Sequence, residues 1–93
     1  MNTITARHGD EALRRSVAAD IGPRQPGTVY RNVDGEFRVL DLILDRDQAR
    51  RLLNRRSAQF ALRVIDQQRD NAQPFVIGSV WTSSDQLVTV GGA

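Results

Sequence analysis

From Thr28 onward the chain alternates in the manner of strands. Thr28-Val29-Tyr30-Arg31-Asn32-Val33 is β-branched and aromatic, Asp34-Gly35 follows, and Glu36-Phe37-Arg38-Val39-Leu40-Asp41-Leu42-Ile43-Leu44 resumes the pattern. Gly accepts positive φ, so an Asp-Gly dipeptide between two such runs predicts a hairpin closed by a type I′ turn. In the second run Phe37, Val39 and Ile43 share one face, interrupted by Asp41, while Leu40, Leu42 and Leu44 share the other. A strand apolar on both faces is covered on both, so its second half is expected to lie deep or to meet a helix or a partner.

On the N-terminal side, Asp10 is placed to cap a helix from Glu11 to about Asp20 that carries Leu13, Val17 and Ile21 on one face, and Gly22-Pro23 stops it. Two prolines and two glycines between Gly22 and Gly27 then read as a linker or irregular loop. Residues 1–27 are accordingly expected to be a tail, short helix and Pro/Gly linker, and residues 28–93 a single small β-rich domain. Beyond the hairpin, Asp45 with Gln48 three residues on approximates a capping box and opens a second helix, with Ala49, Leu52 and Leu53 in one stripe and an end near Arg56 or Ser57. Arg51 and Arg55 fall on its opposite side, Arg51 four residues after Asp47. Strands are expected over Phe60–Ile65, Phe75–Thr82 and Leu87–Val90, with Gly78 marking a bulge or bend.

The order α–loop–β–β–α–β–β–β is that of an α+β, mostly β protein, and two architectures use it. One is a small five-stranded antiparallel SH3-like barrel with an inserted helix and an N-terminal helix as an appendage. The other is an open antiparallel sheet with both helices on one face, as in cystatin-like or NTF2-like folds. Gly27-Thr28-Val29-Tyr30, the short turn with Gly35, and Phe37-Arg38-Val39 resemble the opening hairpin of small bacterial SH3-like domains, across Gly27–Leu40 only. That resemblance implies a binding module whose partners are nucleic acid, peptides or a sister subunit, and it assigns no site residues.

Composition narrows the classes. With 93 residues, 40% of them hydrophobic and none of them cysteine, the chain is expected to be one small domain without disulfides, Cys-based zinc or a thiol nucleophile. It carries no apolar run of the roughly 18 residues a membrane span needs, and its first residues lack the apolar core of a secretory signal. The expectation is a cytoplasmic protein without a membrane partner.

Charge adds a second feature. All 13 basic residues are Arg, so the isoelectric point of about 10.4 exaggerates a formal charge of only +2. Residues 28–48 hold three arginines against five acids, whereas residues 49–70 hold six arginines against two aspartates. Arg50, Arg51, Arg55 and Arg56, with Arg63 on the next strand, form a basic cluster suited to phosphates or carboxylates, because a guanidinium forks onto either. Tyr30 or Trp81 would add base stacking if exposed beside it. The competing reading is a solvated outer face of an amphipathic helix, with Asp66 as a salt-bridge partner for Arg56. Trp81 reads as core, or as an interface anchor.

Catalytic parts are missing from the pattern. His8 is the only histidine and sits in a polar terminus, and neither a nucleophile elbow nor a phosphate-binding Gly loop occurs. Asp41, Asp45 and Asp47 would be the oxygens of a hard-cation site, but a helix cap, a helix N-terminus and a strand edge account for them more simply. We therefore expect no enzyme, no cofactor and no metal. The reading is a binding module that engages another protein or itself, a homodimer being the simplest assembly. Nucleic acid bound through the Arg-rich helix at 46–56 is the alternative. Arg50, Arg51, Arg55, Arg63, Tyr30 and Trp81 are the candidate contact residues for either partner.

Overall fold

The computed structural model describes residues 15–89, and the expectations for Asp10, Leu13, His8 and Val90 lie outside them. The described part of α1 covers 15–21. It is followed by β1 (Val29–Asn32), β2 (Gly35–Ile43), α2 (Arg46–Leu53), β3 (Ala61–Asp66), β4 (Phe75–Ile77) and β5 (Gln86–Thr89). The five strands form one sheet in the order β4-β3-β2-β1-β5, every neighbouring pair antiparallel. The fold is therefore α+β, mostly β, with an open sheet. Closure into the expected barrel is not observed: β4 and β5 lie at opposite edges of the sheet and do not pair. The three-residue β4 also offers little ladder to close with.

The hairpin forms, with its turn displaced by one residue. Asn32 faces Gly35, so Val33 and Asp34 are the central turn residues, and neither has the positive φ that type I′ demands. Asn32 Oδ1 accepts the Asp34 N–H at 2.9 Å, and Asn first with Gly fourth is the residue preference of a type I turn. Within the hairpin turn, positive φ appears only at Gly35, at 144°. In β2, pairing with β3 shifts between Val39 and Asp41, and this irregularity breaks the simple alternation. Val39 and Leu42 join one apolar cluster and Ile43 the other, which corrects the assignment of Val39 and Ile43 to one face.

Both faces of β2–β3 are thus covered. The larger cluster joins Val17 and Ile21 of α1 to Tyr30, Phe37, Val39, Phe60, Leu62 and Val64. The smaller joins Ile43, Ala49 of α2, Ala58 and Ala61, with Leu53 and Val76 against it. The adjacent pairs Leu42–Leu62 and Ile43–Ala61 point to opposite faces of the pleat. The helices therefore serve opposite faces rather than one, and α1 belongs to the core instead of being an appendage.

Helix α2 opens as its sequence directs. Asp45 is the N-cap, and its carboxylate accepts the Gln48 N–H at 3.1 Å. The helix ends before Arg56, because Asn54 adopts the left-handed conformation and its N–H returns to the Arg50 and Arg51 carbonyls. Ala49 is fully buried, whereas Leu52 leaves the expected stripe and is exposed. The fourth strand is also shorter than expected, since it stops at Ile77. A Cβ on Gly78 would lie 2.5 Å from a Leu53 methyl, so α2 touches bare backbone there, and Ser79–Trp81 leave the sheet to pack on α1.

Candidate functional site

Where α1 meets the sheet, the structure buries a charge. Gly22 ends the helix with φ 65°, and the next turn carries Arg24 inward until none of it is exposed. Its Nε donates to the Ile21 carbonyl at 2.8 Å, and its Nη2 donates to the carbonyls of Asp20 and Ser79, each at 2.8 Å. The guanidinium lies 5.4 Å from the Tyr30 ring centre and 5.7 Å from that of Trp81. Among the described residues it has no carboxylate partner; the last carbonyls of α1, the negative end of the helix dipole, take that place. Trp81 closes the arrangement, since its backbone N–H donates to the Asp20 carbonyl and its side chain lies over Gly22. The two prolines and two glycines of residues 22–27 predict a linker or irregular loop, and no periodicity flags a buried Arg there.

Tyr30 is 1% exposed, so it is unavailable as an outward stacking platform. Burial raises its hydroxyl above the usual tyrosine range, with the neighbouring Arg24 pulling it partly back. Trp81 is half-buried against the larger cluster and is not in a strand. Tyr30 and Trp81 begin an aromatic row: Trp81 to Tyr30 is 6.2 Å, Tyr30 to Phe37 is 5.7 Å, and Phe37 to Phe75 is 5.9 Å edge to face. The row ends at the sheet edge, where Phe75 is 41% exposed.

The arginines divide. Arg63 pairs weakly with Asp41 at 3.9 Å on the sheet and stays apart from the helix group. Arg50, Arg51, Arg55 and Arg56, with Asn54, line one hollow of about 540 Å3 at the C-terminal end of α2. Arg50 is anchored, its Nε donating to the Ala58 carbonyl at 3.0 Å. Arg51, Arg55 and Arg56 are exposed and make no ion pair among the described residues; neither Asp47 nor Asp66 engages them. Convergence here follows from the early stop at Asn54, which folds Arg55 and Arg56 back beside Arg50 and Arg51. The three aspartates at 41, 45 and 47 are not brought together, and the described residues contain no cluster of metal-ligating side chains.

A second cavity, of about 650 Å3, lies beside β4. Phe37, Val64, Phe75 and Ile77 supply its apolar lining; Asp34 and Asn32 stand at the hairpin end, and Leu53 and Arg55 at the α2 end. Arg55 lines both cavities, so the aromatic cleft and the arginine hollow adjoin. The cleft was invisible to periodicity, because its walls come from β1, β2, β3, β4 and the end of α2.

Among the described residues, β4 and β5 each have a strand neighbour on one side only. Phe75-Val76-Ile77 at one edge and Gln86-Leu87-Val88-Thr89 at the other carry no charge, and Phe75, Leu87 and Val88 are exposed. No described helix is long and apolar enough to cross a membrane. Comparison with protein-family models, curated protein sequences and solved structures returns no match, so these surfaces are read from their own chemistry.

Proposed function

We propose that this chain is a non-enzymatic binding module that engages another protein, with a second copy of itself as the simplest partner. The observation that carries the reading is the pair of uncharged edge strands with exposed Phe75, Leu87 and Val88. An edge strand presents a row of unpaired backbone donors and acceptors, and proteins that remain monomeric block it with charge, proline or a bulge. Pairing one edge with that of a second copy continues the sheet and covers apolar side chains together with backbone groups. Sedimentation velocity across micromolar concentrations tests this. A dimer that dissociates in Val88→Lys or in Phe75→Lys supports self-association through that edge. A monomer at high micromolar concentration removes the second copy as partner.

The nucleic-acid reading has one observation in its favour, the convergence of Arg50, Arg51, Arg55 and Arg56 on a single hollow. Arg63 does not join that hollow, and neither Tyr30 nor Trp81 lines it. The aromatic platform that single-strand binding calls for is not supplied by those two residues.

A further inference from the structure

We infer that the aromatic cleft and the arginine hollow form one groove for an extended polypeptide segment that carries an apolar side chain followed by acidic residues. This rests on the protein-binding reading above and names the chemistry of a partner distinct from a paired edge strand. The two cavities share Arg55, so a ligand seated against Phe37 and Phe75 passes Arg55 before it reaches Arg51 and Arg56. The cleft wall is mixed in polarity, and its accessible apolar surface comes chiefly from Phe75 and Ile77, with Phe37 and Val64 buried behind them, so it offers a seat for one aliphatic or aromatic side chain. The hollow presents the guanidinium groups of Arg51, Arg55 and Arg56, free of ion pairs among the described residues, in a form that suits carboxylates.

Polarity along the groove chooses the class of ligand. Asp34 lines the end of the cleft opposite to Arg55. A nucleic acid strand carries the same charge at every step, so its phosphates would meet Asp34 at one end as they met arginine at the other. A polypeptide varies its charge from residue to residue and places its acids at the arginine end only.

The test is fluorescence anisotropy on the full chain with four labelled probes. These are a peptide with a Leu-Phe core followed by a run of Glu, the same peptide with Gln for Glu, the same peptide with Gly-Ser for Leu-Phe, and oligothymidine. The first is expected to bind at least about tenfold more tightly than either peptide control. Arg55→Gln and Arg51→Gln should each weaken it several-fold to about tenfold, and Phe75→Ser by a similar factor. All three side chains are exposed, and circular dichroism of each variant checks that the fold is intact. Oligothymidine binding more tightly than the apolar-acidic peptide, with no effect of Phe75→Ser, would overturn the inference in favour of nucleic acid. Equal binding of the Glu and Gln peptides, or no binding of any probe at millimolar concentration, would also overturn it. Such a failure leaves the sedimentation result with Val88→Lys standing, because Val88 lies on the β5 edge and lines neither cavity.

Discussion

Replacing Arg24 by Met removes a charge that folding has buried without a carboxylate. Three short bonds from a charged donor contribute about 1.5–3 kcal/mol each, and two ring contacts about 0.5–2 kcal/mol each. The opposing desolvation of a buried ion costs several kcal/mol, so the intact arrangement is favourable by only a few. The substitution measures something else. Met relieves the desolvation but leaves the Ile21 and Ser79 carbonyls without the donor they have here, whereas the Asp20 carbonyl keeps the Trp81 N–H. Two stranded acceptors at about 1–3 kcal/mol each give an expected loss of roughly 2–5 kcal/mol. For a chain of this size, with about 5–10 kcal/mol in total, that is a large share and lowers Tm by roughly 10 °C or more. Arg24→Lys keeps the charge but cannot fork across α1 and Ser79, and should lose about 1–3 kcal/mol. Urea unfolding followed by both Trp81 emission and far-ultraviolet dichroism reads the result. If Arg24→Met unfolds within about 0.5 kcal/mol of the parent, the carbonyls are hydrated and the guanidinium does not hold α1 to Ser79.

Other perturbations probe other parts of the same argument. In Gly22→Ala, a side chain enters the left-handed region at about 1–2 kcal/mol, and its Cβ meets Trp81 Cγ at 2.5 Å. The expected signature is a destabilisation of at least about 2 kcal/mol with a red-shifted Trp81 emission, and unchanged emission refutes the contact. Asp45→Ala removes the α2 cap at a cost of about 1 kcal/mol, whereas Asp45→Asn retains most of it; equal losses in chemical denaturation would count against capping as the cause. At Asp85, burial raises the carboxyl, but bonds from Asn32 and Thr82 together with the Arg24 charge outweigh it, and the net shift is downward. Its stabilisation is therefore present above the ordinary Asp range and is lost as pH falls through the lowered folded value. Unfolding measured across the acid range should show a shallower acid dependence in Asp85→Asn than in the parent, and parallel curves would refute the assignment. Tyr30 acts at the other limb: its raised value means a contribution complete below the ordinary tyrosine range and lost as pH rises through the folded value.

What the sequence makes legible is local. The hairpin, the Asp45 cap and the stop at Gly22 each depend on residues within a few positions of one another, and each is observed. The misplaced turn has the same origin, since Asn32, not Gly35 alone, decides it by accepting the Asp34 N–H. Features set by distant partners were not legible. β4 ends at Ile77, next to Gly78 where Leu53 of α2 packs, and the β2 irregularity is visible only in its pairing with β3. Arg24 looks like a solvated loop residue until Ser79, 55 positions later, supplies a carbonyl. For the candidate groove, sequence reading found the arginines but not their neighbours: the early end of α2 and the return of β4 bring Phe75 beside Arg55.

The strand order carries a consequence for how the chain assembles. β1 through β4 form a meander in which each strand joins its predecessor, so those ladders close over short stretches of chain. β5 alone returns across the whole sheet to β1, and the bond from Asn32 to Asp85 spans 53 positions. Among the strand ladders, this one closes the longest loop and so carries the largest loop-closure entropy. A β5 exchanged between two copies would meet the same β1 register and so keep every ladder of the monomer.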